Sequence, residues 1–449
     1  MTAQTETALT GTDASPSFSE AFWLWFKIGC INFGGPAGQI AMMHRIVVDE
    51  KKWIEETRFL HALNFCMLLP GPEAQKLATY IGWLMHRTRG GIAAGALFVL
   101  PSLAILVALS WLYVAFAEVP AIAGAFYGIK PAVTAIVVFA AYRLGTRALT
   151  STWTWSIAVL ALLAVALARL PFPLVIAGAA AIGFVGGRID PAGFALRGHG
   201  GATASYGAAV IDDDMPTPAH AVFHRGRFAR VLLVCLALWG GALAALALAF
   251  GSDAVLTTMA VFFTQAALLT FGGAYAVLPY VFQGAVEQHH WLTAGQMIDG
   301  LALGESTPGP LIMVVAFVGF VGGWTHAVLG SDSQFVSGAV AAAVVTYFTF
   351  LPSFCFVLLG GPLIESTHGD LRFTAPLTGI TAAVVGVIVN LALFFAWHVL
   401  WPAGADGRFD VVAAAIGVLA AVLLFRFKVG VLPVLGVSAL LGLAWRLLA

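Results

Sequence analysis

The chain has 449 residues, of which 60% are hydrophobic and 10% charged, against about 25% charged in ordinary globular proteins. That balance excludes a soluble multidomain protein. At roughly 20 residues per spanning helix, the apolar share is enough for roughly a dozen membrane segments, with little left for a domain outside the lipid bilayer. Lys plus Arg and Asp plus Glu each number 22, so no net charge points to nucleic acid.

Residues 1–20 hold Glu6, Asp13 and Glu20 but no Lys or Arg, unlike a signal peptide, and read as a disordered cytoplasmic lead. Six apolar windows follow, at Ala21–Met43, Leu60–Met85, Ile92–Phe116, Ala121–Ala141, Trp153–Ala168 and Phe172–Gly187. The stretch 188–230 is rich in Gly, Pro and Asp and reads as a cytoplasmic linker. Seven more windows come after it, at Val231–Phe250, Val255–Phe282, Met297–Gly323, Phe335–Leu359, Ala375–Val399, Val411–Phe425 and Val429–Leu448. The predicted fold is all-α and polytopic, with about 13 membrane segments.

An internal repeat organises these windows. Adding 238 to Phe33, Gly34 and Gly35 gives Phe271, Gly272 and Gly273. The same step takes Trp53 to Trp291, and Pro70, Gly71 and Pro72 to Pro308, Gly309 and Pro310. Leu100-Pro101-Ser102 recurs at an offset of 251 as Leu351-Pro352-Ser353, which locates a 13-residue insertion near Ala327–Ala339. Residues 21–187 and 251–449 are therefore two six-segment repeats, and Val231–Phe250 is an unpaired segment between them. Seven windows separate the two starts, an odd number, so the second copy is expected upside down, the architecture of secondary transporters. The parity holds provided that an even number of windows per repeat is re-entrant.

With every window spanning, basic residues near the segment ends favour the N-terminal side as the cytoplasmic one. Arg45, Lys51, Lys52 and Arg58 then dissent in one segment, where Asp49, Glu50, Glu55 and Glu56 offset them.

Phe33-Gly34-Gly35-Pro36 lies inside an apolar window and predicts a broken helix, as do Pro70-Gly71-Pro72, Phe271-Gly272-Gly273 and Pro308-Gly309-Pro310. Such breaks at membrane depth line cavities, and their helix N-termini offer N–H groups and a positive dipole end to an anion. Beside them stand Glu73 with Lys76 at i, i+3 spacing, and Glu305 in an otherwise uncharged window with Asp299 nearer its end. Glu73 and Glu305 are candidate proton carriers. Seventeen of the 22 Lys and Arg precede Val231, and none falls between Val231 and Leu371. Cationic contacts to an anion are thus expected from the first repeat, with Arg45 and Lys76 nearest the breaks.

No phosphate-binding loop, paired-histidine metal helix or Gly-x-Ser-x-Gly elbow occurs. Cys30, Cys66, Cys235 and Cys355 lie far apart in apolar stretches and read as buried thiols. Neither a metal nor a cofactor is called for, and the chain does not read as an enzyme.

The residues resemble the chromate transporter family. The resemblance is carried by Phe-Gly-Gly-Pro at 33–36, Trp53, Pro-Gly-Pro-Glu-Ala at 70–74, Tyr80-Ile81-Gly82-Trp83 and Leu-Pro-Ser at 100–102. The second copy, 271–353, is similar to the C-terminal domain of the long, two-domain members. Lys76 and Glu305 depart from the family pattern, where glutamines are usual. The resemblance implies proton-driven efflux of chromate across a bacterial cytoplasmic membrane, hence chromate resistance, and leaves a homodimer open. Sulfate shares the charge and shape of chromate, so sulfate uptake or exchange is the alternative. A polytopic enzyme acting on a lipid-linked substrate is a distant third.

Overall fold

The computed structural model describes residues 16–116, 119–194, 220–271, 273–364, 374–404 and 407–448. Its first repeat consists of α1 (Phe18–Ile31), α2 (Gly35–His44), α3 (Glu56–Leu68), α4 (Glu73–Phe116), α5 (Pro120–Ala148), α6 (Thr152–Ala166) and α7 (Phe172–Ile189). Helix α8 (Arg225–Phe250) stands alone. The second repeat consists of α9 (Val255–Leu269), α10 (Ala274–Phe282), α11 (Ala294–Ser306), α12 (Val314–Thr325), α13 (Gln334–Ile364), α14 (Thr374–Leu400), α15 (Val411–Phe425) and α16 (Val431–Leu448). The 238-residue step carries even a local irregularity, since the π-helical turn Arg45–Glu50 after α2 recurs as Gln283–Gln288 after α10.

Helix α4 is two helices. At His86 (φ −130°, ψ 29°) and Arg87 (φ 56°, ψ −155°) the backbone leaves the helical region, and the chain reverses into two arms, α4a (73–85) and α4b (88–116). Gly82 and Gly90 let the arms touch backbone to backbone: a Cβ on Gly82 would sit 2.5 Å from the Gly90 carbonyl oxygen. In the second repeat the same reversal is the longer loop between α12 and α13, which absorbs the insertion read in the sequence.

Three contacts fix which ends lie together. Lys51 Nζ is 3.1 Å from Glu20 Oε1, joining the segment after α2 to the start of α1. His86 Nε2 donates to the Pro16 carbonyl at 2.9 Å, bringing the end of α4a to the same place. His44 at the end of α2 pairs with Glu56 at the start of α3. The windows Ala21–Met43 and Leu60–Met85, expected as spans, are therefore re-entrant hairpins that enter from the N-terminal side and turn at their breaks. Helix length is the reason: at 1.5 Å per residue, the 14-residue α1 and 10-residue α2 extend about 21 and 15 Å, short of a hydrocarbon core about 30 Å thick. A correction of side follows, since Arg45, Lys51, Lys52 and Arg58 lie on the same side as the N-terminal end of α1. The basic cluster that dissented joins the majority.

The second repeat turns in the same way at the opposite end of the molecule, where a Cβ on Gly322 of α12 would meet Met259 Cε of α9 at 2.5 Å and Trp291 Cβ, after α10, at 3.1 Å. Two re-entrant windows per repeat leave the parity intact. Among the described residues seven helices, α4, α5, α7, α8, α13, α14 and α16, are long and apolar enough to cross a membrane, and the shorter apolar α6 and α15, 15 residues each, pack along α14 and α5. The inversion is visible in the corresponding helices α4b and α13, which run antiparallel, with Gly95 against Phe354 and the rings of Trp111 and Phe335 6.0 Å apart. A two-fold axis that relates antiparallel spanning helices lies in the membrane plane.

Packing interleaves the copies: α6 and α7 pack on α14, and α15 and α16 on α5. Small residues permit this, as where a Cβ on Gly128 of α5 would lie 1.9 Å from the Ser438 carbonyl oxygen of α16. Without a hydrophobic drive between helices in lipid, such close backbone contact is a main source of association. The lone helix α8 begins at Arg225, earlier than its apolar window, because its first turns carry Arg225, Arg227 and Arg230. The linker's last residues are ordered: Ala221 is buried and His220 Nε2 donates to the Trp83 carbonyl at 3.1 Å. Phe18–Glu20, read as part of the lead, already belong to α1; residues 1–15 and 195–219 lie outside the described residues.

Candidate functional site

Each break is a place where the sequence makes a helix impossible to continue. Gly34 and Gly35 adopt φ of 96° and 69°, and Gly71, Gly273 and Gly309 adopt 107°, 99° and 124°, the left-handed side that only glycine enters freely. Pro36 then sits in the first turn of α2, where its missing N–H costs nothing. The tight turn before the break is common to both copies: Phe33 N–H donates to the Ile31 carbonyl at 3.0 Å, and Phe271 N–H to the Leu269 carbonyl at 3.1 Å. Gly272 lies outside the described residues.

The breaks of one repeat bond to those of the other. Gly71 N–H donates to the Thr270 carbonyl at 2.8 Å, and Gly309 N–H donates to the Asn32 carbonyl at 2.8 Å. Asn32 and Thr270 are themselves 238 residues apart, as are Gly71 and Gly309, so the exchange is reciprocal about the two-fold axis. It repeats one layer out: a Cβ on Gly71 would lie 2.1 Å from Ser353 Oγ, and one on Gly309 2.4 Å from Ser102 Cβ. The leucine-proline-serine triplets thus seat each second break on the opposite copy's long helix. This geometry changes one expectation, because the Gly71 and Gly309 amides are spent on the other repeat and are not free to hold an anion.

What converges at the crossing is the set of helix N-termini that begin just after the breaks: α2, α4a, α10 and the 3-10 turn Leu311–Met313 leading into α12. Pro72 and Pro310 open two of them, their carbonyls accepting from Lys76 N–H at 3.1 Å and Met313 N–H at 2.8 Å; Pro70 and Pro308 stand on the approach side of Gly71 and Gly309. Polar side chains crowd the same place. Gln39 Nε2 donates to the Gly309 carbonyl at 2.5 Å. The Asn32 side chain is fully buried, and among the described residues its amide nitrogen and oxygen meet no hydrogen-bond partner; the Ser102 and Ser353 hydroxyls are in the same position.

Charge is arranged asymmetrically. Lys76 is fully buried and its ammonium donates to the Leu69 carbonyl at the end of α3. Glu73 and Glu305 come from different repeats and meet the same helix: Glu73 Oε1 lies 3.9 Å from where a Cβ on Gly273 would be, and Glu305 accepts from the Tyr275 hydroxyl. Both carboxylates stand at the first turn of α10, whose dipole favours negative charge. Arg45 is not brought to the breaks. It stands at the far end of α2, its side chain 66% exposed and 3.5 Å from Glu50.

The chromate transporter family model matches residues 19–184 and 257–443, most of the chain and all four breaks. The chain belongs to the chromate transporter family. Chromate transporter sequence thus covers both repeats and omits α8. The chain is 34% identical over 390 residues to a chromate transport protein of Pseudomonas aeruginosa, across 84% of this chain and 81% of that protein. It is 27% identical over 428 residues to a chromate transport protein of Cupriavidus metallidurans, across 94% and 92% of the two. No solved structure matches it. As a member of this family it is a multi-pass membrane transporter and not an enzyme.

Sequence reasoning missed Asn32, Gln39, Tyr275 and the two serines as site residues. Signals existed for some of them: Ser102 and Ser353 stood in the repeated triplet, and Asn32 and Gln39 flank the first break. Lys130, a lone cation inside the window Ala121–Ala141, was also legible as an intramembrane charge.

Proposed function

We propose that the protein exports chromate from the cytoplasm in exchange for protons and so confers chromate resistance. The reading rests above all on the reciprocal bonds between Gly71 and Thr270 and between Gly309 and Asn32. Two inverted repeats joined by their broken helices have a natural pivot there, about which alternating access can proceed. Chromate is the substrate named for relatives that align over most of this chain.

In this account the oxyanion lies at the crossing, against the helix starts at Phe33, Gly34, Gly35 and Pro36 and at Phe271 and Gly273. Pro70, Gly71 and Pro72 and their counterparts Pro308, Gly309 and Pro310 shape the floor. The buried Lys76 supplies positive charge, and the Asn32 amide supplies a donor. Glu73 and Glu305 exchange protons as the anion comes and goes, since a carboxylate and a dianion at one helix end repel each other. The basic residues after α2, at the reversal of α4 and at the start of α8 support an N-terminus inside, by the positive-inside rule, and the reading takes the membrane to be the cytoplasmic membrane of a bacterium.

Flux of radiolabelled chromate into inside-out vesicles, with sulfate as competitor and the pH gradient set or collapsed, tests this reading. Chromate uptake that an acidic lumen drives supports it. Sulfate uptake without competition by chromate overturns it in favour of a sulfate carrier.

A further inference from the structure

Away from the crossing, on the side where the second repeat's hairpins open, one charge cluster is not accounted for by the site above. Asp299 of α11 is buried, its side chain 3% exposed. Its Oδ2 accepts from the Tyr113 hydroxyl of α4b at 2.9 Å and lies 3.4 Å from Lys130 Nζ of α5. Its Oδ1 is buried without a hydrogen-bond partner among the described residues. Lys130 is placed differently: its side chain is 35% exposed, and its ammonium stands 3.6 Å from where a Cβ on Gly295 would be, so no side chain of α11 closes over it there. Among the described residues Tyr113 and Lys130 are the titratable groups in contact with Asp299, and the Phe317 ring of α12 lies 5.3 Å from that of Tyr113.

Three features argue against a pair kept for packing alone. The carboxylate is half satisfied, whereas a structural buried pair needs its lone pairs filled to offset desolvation. The pair has no counterpart in the other repeat, where His61 takes the place of Asp299. Lys130 also crosses between copies, bringing a cation to a stretch, Val231–Leu371, that has none of its own.

We propose that Lys130 and Asp299 form an exchange gate on the exit side: an oxyanion leaving the crossing replaces Asp299 as the partner of Lys130, and the released carboxylate takes a proton. The step is a transfer from hydronium on the exit side to Asp299, leaving a carboxylic acid and water; when the anion departs and Lys130 returns, Asp299 gives the proton up toward the Glu305 carboxylate and is ionised again. A buried carboxylate keeps its charge only while a cation faces it, so occupancy of Lys130 by substrate and protonation of Asp299 are linked. Asp299 and Glu305 share α11, six residues and about 9 Å apart along its axis, so a proton gained at the gate is one short relay from the crossing. This inference rests on the oxyanion-transport reading and adds the gate to it.

The test uses the full-length protein in liposomes and infrared difference spectra on addition of sodium chromate or sodium sulfate. Wild type should gain carboxylic acid carbonyl intensity with the anion, from the crossing carboxylates and from Asp299; Asp299→Asn should lose one component of it, a component that Glu73→Gln/Glu305→Gln keeps and that Lys130→Met carries already in the absence of anion. In flux, Asp299→Asn should keep chromate–chromate exchange within about twofold of wild type while proton-driven flux falls about tenfold or more. Carbonyl intensity unchanged by Asp299→Asn, or absent from Glu73→Gln/Glu305→Gln with either anion, overturns the gate. So does an equal fall of exchange and driven flux, the mark of a packing role. Should sulfate raise the Asp299 band in a protein that moves no chromate, the gate stands and the chromate reading fails.

Discussion

Lys51 and Glu20 lie 31 residues apart in sequence and 3.1 Å apart in the fold, a proximity that belongs to a hairpin and not to a span. Cysteines at these two positions should cross-link with a short reagent. Both should also react with an impermeant thiol probe from the side that labels a cysteine at Arg147, and not from the side that labels one at Arg169. Labelling of position 51 from the Arg169 side would restore the spanning arrangement and sink the hairpin.

Gly71 and Gly309 carry the reciprocal bonds and have no room for a side chain. Gly71→Val meets Ser353 Oγ at 2.1 Å with φ at 107°, combining overpacking with backbone strain, together about 2–4 kcal/mol. A fall in melting temperature and loss of flux are expected together. Ser353→Gly in the same chain should recover part of the stability, because it removes the clash and leaves the strain. Gly71→Val with wild-type melting would contradict the interlock.

Gly35 offers the complementary case. A Cβ there meets nothing within 4 Å, so Gly35→Ala carries only the cost of φ 69°, about 1 kcal/mol. The protein should insert and melt nearly as wild type, yet bind chromate more weakly if the anion approaches this backbone. Unchanged affinity would move the binding site away from the start of α2.

Arg45→Gln should change chromate affinity less than about twofold, since an exposed ion pair contributes at most about 1 kcal/mol and Arg45 stands a helix length from the break. A tenfold loss would return Arg45 to the substrate path.

Much of this fold is written locally. Glycines that need positive φ and prolines that tolerate only a first turn mark the breaks in sequence, and repetition of those residues at one spacing reveals two copies. The hairpins were harder to read, because α1 plus α2 has the summed length and hydropathy of one span; the break at the window's centre was the only clue. Arg45 is nine residues from Pro36 in sequence but stands at the far end of α2, a separation that the count alone does not show. Pairs such as Lys130 with Asp299, or Gln39 with the Gly309 carbonyl, join residues more than 150 positions apart and depend on how the copies interleave, which no local pattern encodes.

Proton coupling at the crossing is the central claim, and the pH dependence of chromate flux in Glu305→Gln, compared with wild type in inside-out vesicles, tests it most directly. Wild-type uptake should rise as the lumen is acidified and fall when a protonophore collapses the gradient. Glu305→Gln should bind chromate with near wild-type affinity and transport it with a flattened pH profile. A profile identical to wild type, with uptake still driven by the gradient, would contradict the account.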